Sequence, residues 1–329
     1  MTYKKIAEMA NVSTSTVSKA LSGSKEVREE LRDEIVKIAI EQGYFEEKGR
    51  RKVEYKTRDS ICIAIICPEI ISIAYAGIIT VMKKAIEEKG GLVSIYVYDF
   101  DVAKLDKIIE SITVRNSADG IILFPIEAYV TDQSIPMIGL CNYDCDYDTV
   151  YCDVDAYFSD IVKYLKNLGH EKIAFVGEEN TPSKLQAYRR SLEKNGIAYE
   201  EDLVYMIEKR FEDIGYEAAE EMLQSGQLPT AVICAYDEIA LAMIHSFREK
   251  GIQIPEQISI IGINDIPMAA YAQIPLTTVR IFWEDQGIIA VNLLYDKIME
   301  KTQFIQHITI KHKLIERKST GKKQDVTMR

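Results

Sequence analysis

Residues 6–23 read IAEMANVSTSTVSKALSG, and their reading decides how the chain begins. Ile6, Ala7, Met9 and Ala10 make one apolar face of a short helix. Asn11 ends it, because asparagine tolerates the left-handed backbone of a tight turn. Ser13 is a natural N-cap for a second helix, which runs from Thr14 to about Ser22 with Val17, Ala20 and Leu21 inward and Gly23 as its stop. A third helix follows over Glu29–Gln42, with Leu31, Ile35, Ile38 and Ala39 inward and Gly43 closing it. Three short helices around one small core are the helix-turn-helix plan.

The middle helix is slim and rich in hydroxyls, which makes it poor core material. In a helix-turn-helix that helix enters the major groove, and its first residues face the base edges. Hydroxyls donate to or accept from several bases, lysine reaches guanine or phosphate, and the helix N-terminus favours a phosphate. Ser13, Thr14, Ser15, Thr16, Ser18 and Lys19 are therefore the candidate DNA contacts of this head. A merely solvated helix face would explain the hydroxyls, but not the three-helix pattern around them.

Charge agrees. Residues 1–58 carry 13 basic and 10 acidic side chains, a net of +3, whereas the rest of the 329-residue chain carries −14. A basic head on an acidic body suits a head that meets a polyanion. No apolar run is long enough to cross a bilayer, and the N-terminus lacks the pattern of a signal peptide, so a cytoplasmic protein is expected. The six cysteines show neither CxxC nor Cys/His metal spacing and are read as buried, reduced thiols.

Beyond residue 60 short apolar strands alternate with helices. Ile61–Ile66, Leu92–Val97, Gly120–Pro125 and Pro136–Leu140 form one set, with a helix over Gly77–Lys89. Lys172–Gly177, Ala231–Ala235 and Ile258–Ile263 form a second. Such alternation predicts α/β architecture: two lobes with parallel sheets covered on both faces, and a cleft lined by strand ends. No GxGxxG, P-loop, GxSxG or HExxH motif is present. His170 reads as a turn residue, and the pairs Asp237-Glu238 and Asp153/Asp155 read as caps or exposed faces. An enzyme is not expected, and neither a cofactor nor a metal is implied.

IAEMANVSTSTVSKALSG, with Glu41-Gln42-Gly43-Tyr44, resembles the opening of the LacI/GalR family of transcriptional regulators. Asn264-Asp265-Ile266-Pro267, Pro275–Val279 and Lys184–Tyr188 resemble its later signatures. The resemblance spans residues 1 to about 317. It implies a helix-turn-helix head (1–45), a hinge or linker (46–59) and a periplasmic-binding-protein-like, two-lobed effector and dimerisation body (60–317). Lobe 1 is expected over about 60–153 plus 280–305, lobe 2 over about 154–279 plus 306–317, and a disordered tail over 318–329. In the family, positions matching Thr14, Ser15 and Lys19 read bases. The family hinge carries a proline and a leucine that wedges into the minor groove. Here Glu46 stands at the proline position, Gly49 weakens a helix, and Val53 falls about where the leucine belongs. Arg50 and Arg51 are placed to contact phosphates or a narrow minor groove.

For the effector, the resemblance nominates Tyr75, Phe124, Lys184, Tyr236, Asn264, Asp265 and Trp283. Lys184 stands where an arginine that holds sugar hydroxyls is usual, and Tyr236 where asparagine is common. Asp265 is read as a hydroxyl acceptor; Trp283 is read equally as cleft or core. The aromatic set favours a sugar or glycoside, nearest to galactoside-responsive members, with a purine or nucleoside as the alternative. The expectation is a homodimeric, allosteric repressor of sugar-utilisation genes that binds double-stranded operator DNA. An activator on the same fold is one alternative, and a sugar-transport module is a reading from a different class.

Overall fold

A computed structural model of the chain describes residues 3–21, 27–41, 60–126, 128–129, 135–141, 145–226, 228–299 and 304–324. It divides into two compact units, 1–60 and 61–329.

The first unit holds α1 (Tyr3–Met9), α2 (Thr14–Leu21) and α3 (Glu29–Glu41). Ile6, Val17, Ile35 and Ala39 are fully enclosed in its core, and Tyr3, Val12, Leu31 and Ile38 pack against them. Asn11 adopts the left-handed conformation expected of it, with φ 51°. Met9 departs from expectation: it is 47% exposed, because the short first helix buries only Ile6 and Ala7. The predicted stops Gly23 and Gly43 and the whole linker over 46–59 lie outside the described residues, as does the side chain of Leu21.

The second unit contains two six-stranded sheets. Its strands are β1 (Cys62–Cys67), β2 (Leu92–Val97), β3 (Gly120–Leu123), β4 (Met137–Gly139), β5 (Asp148–Cys152), β6 (Ile173–Gly177), β7 (Val204–Met206), β8 (Ala231–Cys234), β9 (Ser259–Asn264), β10 (Thr277–Ile281), β11 (His307–Ile310) and β12 (His312–Ile315). The helices are α4 (Ile73–Glu88), α5 (Val102–Arg115), α6 (Val154–Asn167), α7 (Pro182–Lys194), α8 (Glu212–Gln224), α9 (Asp237–Glu249), α10 (Pro267–Tyr271) and α11 (Trp283–Ile298). The first sheet has the order β11-β5-β4-β3-β1-β2 and is parallel throughout. The second has the order β12-β10-β9-β8-β6-β7, parallel except for the antiparallel edge strand β12.

Alternation along β1 explains why helices cover both faces. Ile63, Ile65 and Cys67 join the core under α4 and α11, while Ala64 and Ile66 join the core under α5. Each enclosed isoleucine contributes about 2 kcal/mol of burial. α5 shows how local sequence supports this packing. Asp101 caps it by accepting from the amides of Ala103 and Lys104, Leu105, Ile109 and Ile112 face inward, and Asn116 ends it in the left-handed region. α11 packs on α4, and a Cβ on Gly287 would lie 3.0 Å from Met82 Cγ.

The chain crosses between lobes three times. The first crossing follows β5, since α6 packs on α7. The other two boundaries are corrected. Residues 280–281 complete β10 in lobe 2. Residues 307–310 form β11 beside β5 in lobe 1, so the last crossing lies at Lys311. The tail is also corrected in part: Ser319 is fully buried and its carbonyl accepts the Ile260 amide at 2.8 Å, so backbone pairing in lobe 2 extends past residue 317. Residues 325–329 lie outside the described set.

Candidate DNA-facing helix and effector cleft

In the head, Ser13 Oγ accepts the amide of Thr16 at 3.0 Å and pairs with the Thr16 hydroxyl at 2.8 Å. The cap satisfies an amide that no helical carbonyl reaches. Thr14, Ser15, Ser18 and Lys19 are exposed on the side of α2 away from Val17, whereas Thr16 is half-buried. Arg50, Arg51 and Val53 lie outside the described residues.

In the body, a cavity of about 470 Å³ lies between the two lobes. It sits at the carboxyl ends of the parallel strands, where open α/β sheets bind ligands. Lobe 1 contributes Tyr75, Phe100, Phe124 and Tyr151; lobe 2 contributes Lys184, Arg210, Phe211, Tyr236 and Asn264, and Trp283 begins α11 at its edge. Tyr75 packs edge-on against Phe124 with centroids 5.3 Å apart, and Phe211 lies 6.1 Å from Tyr236. Aromatic side chains thus reach the cavity from both lobes.

Of the seven effector residues nominated from sequence, six line this cavity: Tyr75, Phe124, Lys184, Tyr236, Asn264 and Trp283. Asp265 does not. Its side chain is 2% exposed and ion-paired with Arg280 at 2.7 Å and Arg317 at 2.6 Å. Asn264 (φ 117°) and Asp265 (φ 53°) both leave the extended region, so the chain turns and sends the carboxylate away from the cleft. The reason a charged group follows a buried strand is therefore the arginine pair, one member of which comes from the C-terminal segment.

Behind Asn264 lies Asp237, fully buried rather than exposed. It accepts the Ile266 amide at 2.8 Å and the Thr278 hydroxyl at 2.5 Å, fastening the end of β9 to β10. Burial pushes its carboxyl up to about 7 against those two hydrogen bonds. Asp153 does cap α6, accepting the Ala156 amide at 3.1 Å. His170 is buried outside the cleft lining and meets Gly321 O at 2.9 Å.

Lys184 points its ammonium to Ala235 O at 2.7 Å and over the Tyr236 ring, 4.1 Å from the centroid. Burial lowers its pKa to about 8, opposed by Glu178, Glu238 and Asp237. Lysine here offers a single point of charge in place of the two-pronged arginine that the resemblance led one to expect.

Sequence reasoning missed Arg210 and its partners. Arg210 follows β7 in lobe 2 and ion-pairs with Glu69 of lobe 1 at 2.9 Å and with Glu178 of lobe 2 at 2.6 Å. Its guanidinium lies 4.7 Å from the Phe211 ring centre and 5.1 Å from that of Phe100. Asp99, Phe100 and Phe211 all have positive φ, near 53°, 60° and 51°. Non-glycine residues rarely hold that conformation unless their surroundings impose it. The available signal was the strand-end rule, which would have found Glu178 after β6; β7 was too short to be recognised.

Residues 2–46 match the family described as bacterial regulatory proteins, lacI family, and residues 162–320 match the periplasmic binding protein-like domain. The HTH-type transcriptional repressor CytR of Escherichia coli (strain K12) is 30% identical over 312 residues, spanning 90% of this chain and 89% of that protein. Among solved structures, the lac repressor dimer bound to operator and the anti-inducer ONPF superposes with a TM-score of 0.72 at 19% identity, covering 98% of this chain and 99% of that one. The complex of the transcriptional regulator CelR with cellobiose gives 0.69 at 22% identity, covering 97% and 99%.

Proposed function

The chain belongs to the lacI family of bacterial regulatory proteins, and on that premise we propose that it is a homodimeric repressor released from operator DNA by a small carbohydrate. The observation that carries this reading is the presence, in one chain, of a capped, exposed hydroxyl-rich helix and a cavity between two lobes walled by aromatic rings. Thr14, Ser15 and Lys19 face the bases, Ser13, Thr16 and Ser18 support the approach to the backbone, and Arg50, Arg51 and Val53 engage the operator centre. Effector in the cleft alters lobe closure and thereby the spacing of the paired heads.

Lys184 and Asn264 are the hydroxyl-pairing groups of the cleft, and Tyr75, Phe124, Phe211, Tyr236 and Trp283 cover apolar ligand faces. Cellobiose in the CelR complex supports a saccharide of one or two rings, and galactosides are the first class to screen. The rings that reach the cavity from both lobes also suit a planar base, which keeps a purine or nucleoside as the second reading.

The test combines a thermal-shift screen of sugars, glycosides, nucleosides and purines with anisotropy on an operator selected from random DNA. A ligand of the folded state raises the melting temperature. The expected result is a sugar that stabilises the body and weakens operator binding, reciprocally. A stabilising sugar that leaves operator affinity unchanged would defeat the allosteric reading for that compound.

A further inference from the structure

Among the described residues, three cations line the cleft, and each already has carboxylate company. Arg210 lies between Glu69 and Glu178, at 2.9 and 2.6 Å. Arg190 meets both oxygens of Asp155, at 2.8 and 3.1 Å. Lys184 donates to Ala235 O, with Glu178, Glu238 and Asp237 as the charges that favour its protonated form. The carboxylates that themselves line the cavity are Glu69 and Asp155.

We propose that this pairing makes the cleft selective for uncharged ligands, turning away phosphorylated and carboxylated forms of the same molecule, with Arg210 as the residue that sets the selectivity. The proposal rests on the cleft being the effector site. An entering anion can claim neither arginine without first breaking an ion pair, and Lys184 is already committed to the Ala235 carbonyl and the Tyr236 ring. Drawing Arg210 off would strand Glu178, whose side chain is 2% exposed, as a buried charge with its guanidinium partner gone. Arg210 is also held from both lobes, over Phe100 and Phe211, both of which keep positive φ. A neutral sugar or nucleoside needs only hydrogen bonds and ring faces, and the bridge stays intact when it binds.

The experiment uses the full chain and ligand pairs that differ only in charge: glucose with glucose 6-phosphate and glucuronate, galactose with galacturonate, and adenosine and cytidine with their 5′-monophosphates. Titration calorimetry reads the ratio of the two affinities within each pair. Wild type is expected to bind the anionic member at least about tenfold more weakly, since like charges meet in a partly desolvated site. Glu69→Gln keeps the shape, removes one carboxylate from Arg210, and should shrink that ratio several-fold. An anion that binds wild type as well as its neutral partner, or a ratio that Glu69→Gln leaves unmoved, overturns the proposal. If no member of any pair binds, the single-ring sugar and nucleoside readings of the cleft fail, and amide hydrogen exchange in the ligand-free protein decides about the bridge. Faster exchange over both residues 69–75 and residues 207–215 in Glu69→Gln supports the bridge as described; unchanged exchange overturns it.

Discussion

Arg210 of lobe 2 ion-pairs with Glu69 of lobe 1 at 2.9 Å, so one side chain ties the lobes together across the effector cleft. The same guanidinium answers Glu178, which is almost wholly enclosed. Removing it leaves that carboxylate in place without its counter-charge. Arg210→Ala is expected to destabilise the body by about 2 kcal/mol in urea unfolding, less than the usual loss for one partner of a fully buried pair because the Arg210 side chain keeps 31% of its exposure. Glu178→Gln together with Arg210→Met should recover part of that loss, since the stranded charge is gone. A double variant as unstable as Arg210→Ala would contradict this account.

Lys184 gives a pH signature with a definite sign. Its pKa falls from 10.5 to about 8 in the folded chain, chiefly through burial. Between those values the unfolded chain holds the proton and the folded chain does not, so stability rises with pH across that window. Below about 8 both states are protonated, and the folded state bears the full penalty of a buried ammonium. Wild type should therefore gain stability relative to Lys184→Met as pH goes from 7.5 to 9.5. Urea unfolding of both proteins at the two pH values cancels the other titrating groups; a difference that stays flat would show that Lys184 is not held as described.

Asn264 and Asp265 are neighbours with separable roles. Asn264 lines the cleft, while Asp265 holds Arg280 and Arg317. Asn264→Gly accepts the φ of 117° without strain and removes only a side-chain amide of the cavity lining. It should weaken the effector about tenfold, the value of one good hydrogen bond to a buried polar group, and leave the melting temperature nearly unchanged. Asp265→Asn leaves two arginines facing a neutral amide and should cost about 2–4 kcal/mol of stability. A loss of ligand affinity in Asp265→Asn with unchanged stability would restore the reading made from sequence, in which both residues meet the effector.

That exchange shows where the sequence is legible. The apolar runs over Ile61–Ile66 and Ile258–Ile263 could be little but buried strands, and the positions that the family resemblance nominated at strand ends, Phe124, Tyr236 and Asn264, line the cavity. Which of two adjacent polar residues faces the cleft depends on backbone dihedrals at a turn, and on Arg317 arriving from far along the chain. The same limit hid the Glu69–Arg210–Glu178 bridge, whose members come from three separate loops. It also hid the crossing at Lys311, because the sides that β11 and β12 take are set by their partners, β5 and β10, which lie far away in the chain.

The head makes a prediction that separates base reading from backbone binding. Lys19 is exposed in the last turn of α2, one turn beyond Ser15 on the same outer side, where a long side chain can reach base edges. Lys19→Ala should change the ranking of operator sequences, costing about 1–3 kcal/mol on the preferred one and less on others. Arg51 belongs to the basic run Arg50-Arg51-Lys52, and we propose it as a phosphate contact, which carries no sequence information. Arg51→Ala should weaken all operators about equally and lower the slope of log affinity against log salt by about one. Ser13→Ala should loosen the head by about 1 kcal/mol through loss of the cap, without altering sequence preference. Anisotropy titrations over a panel of single-base operator variants at two salt concentrations distinguish the three. If Lys19→Ala and Arg51→Ala gave the same uniform loss, α2 would not be the element that reads the bases.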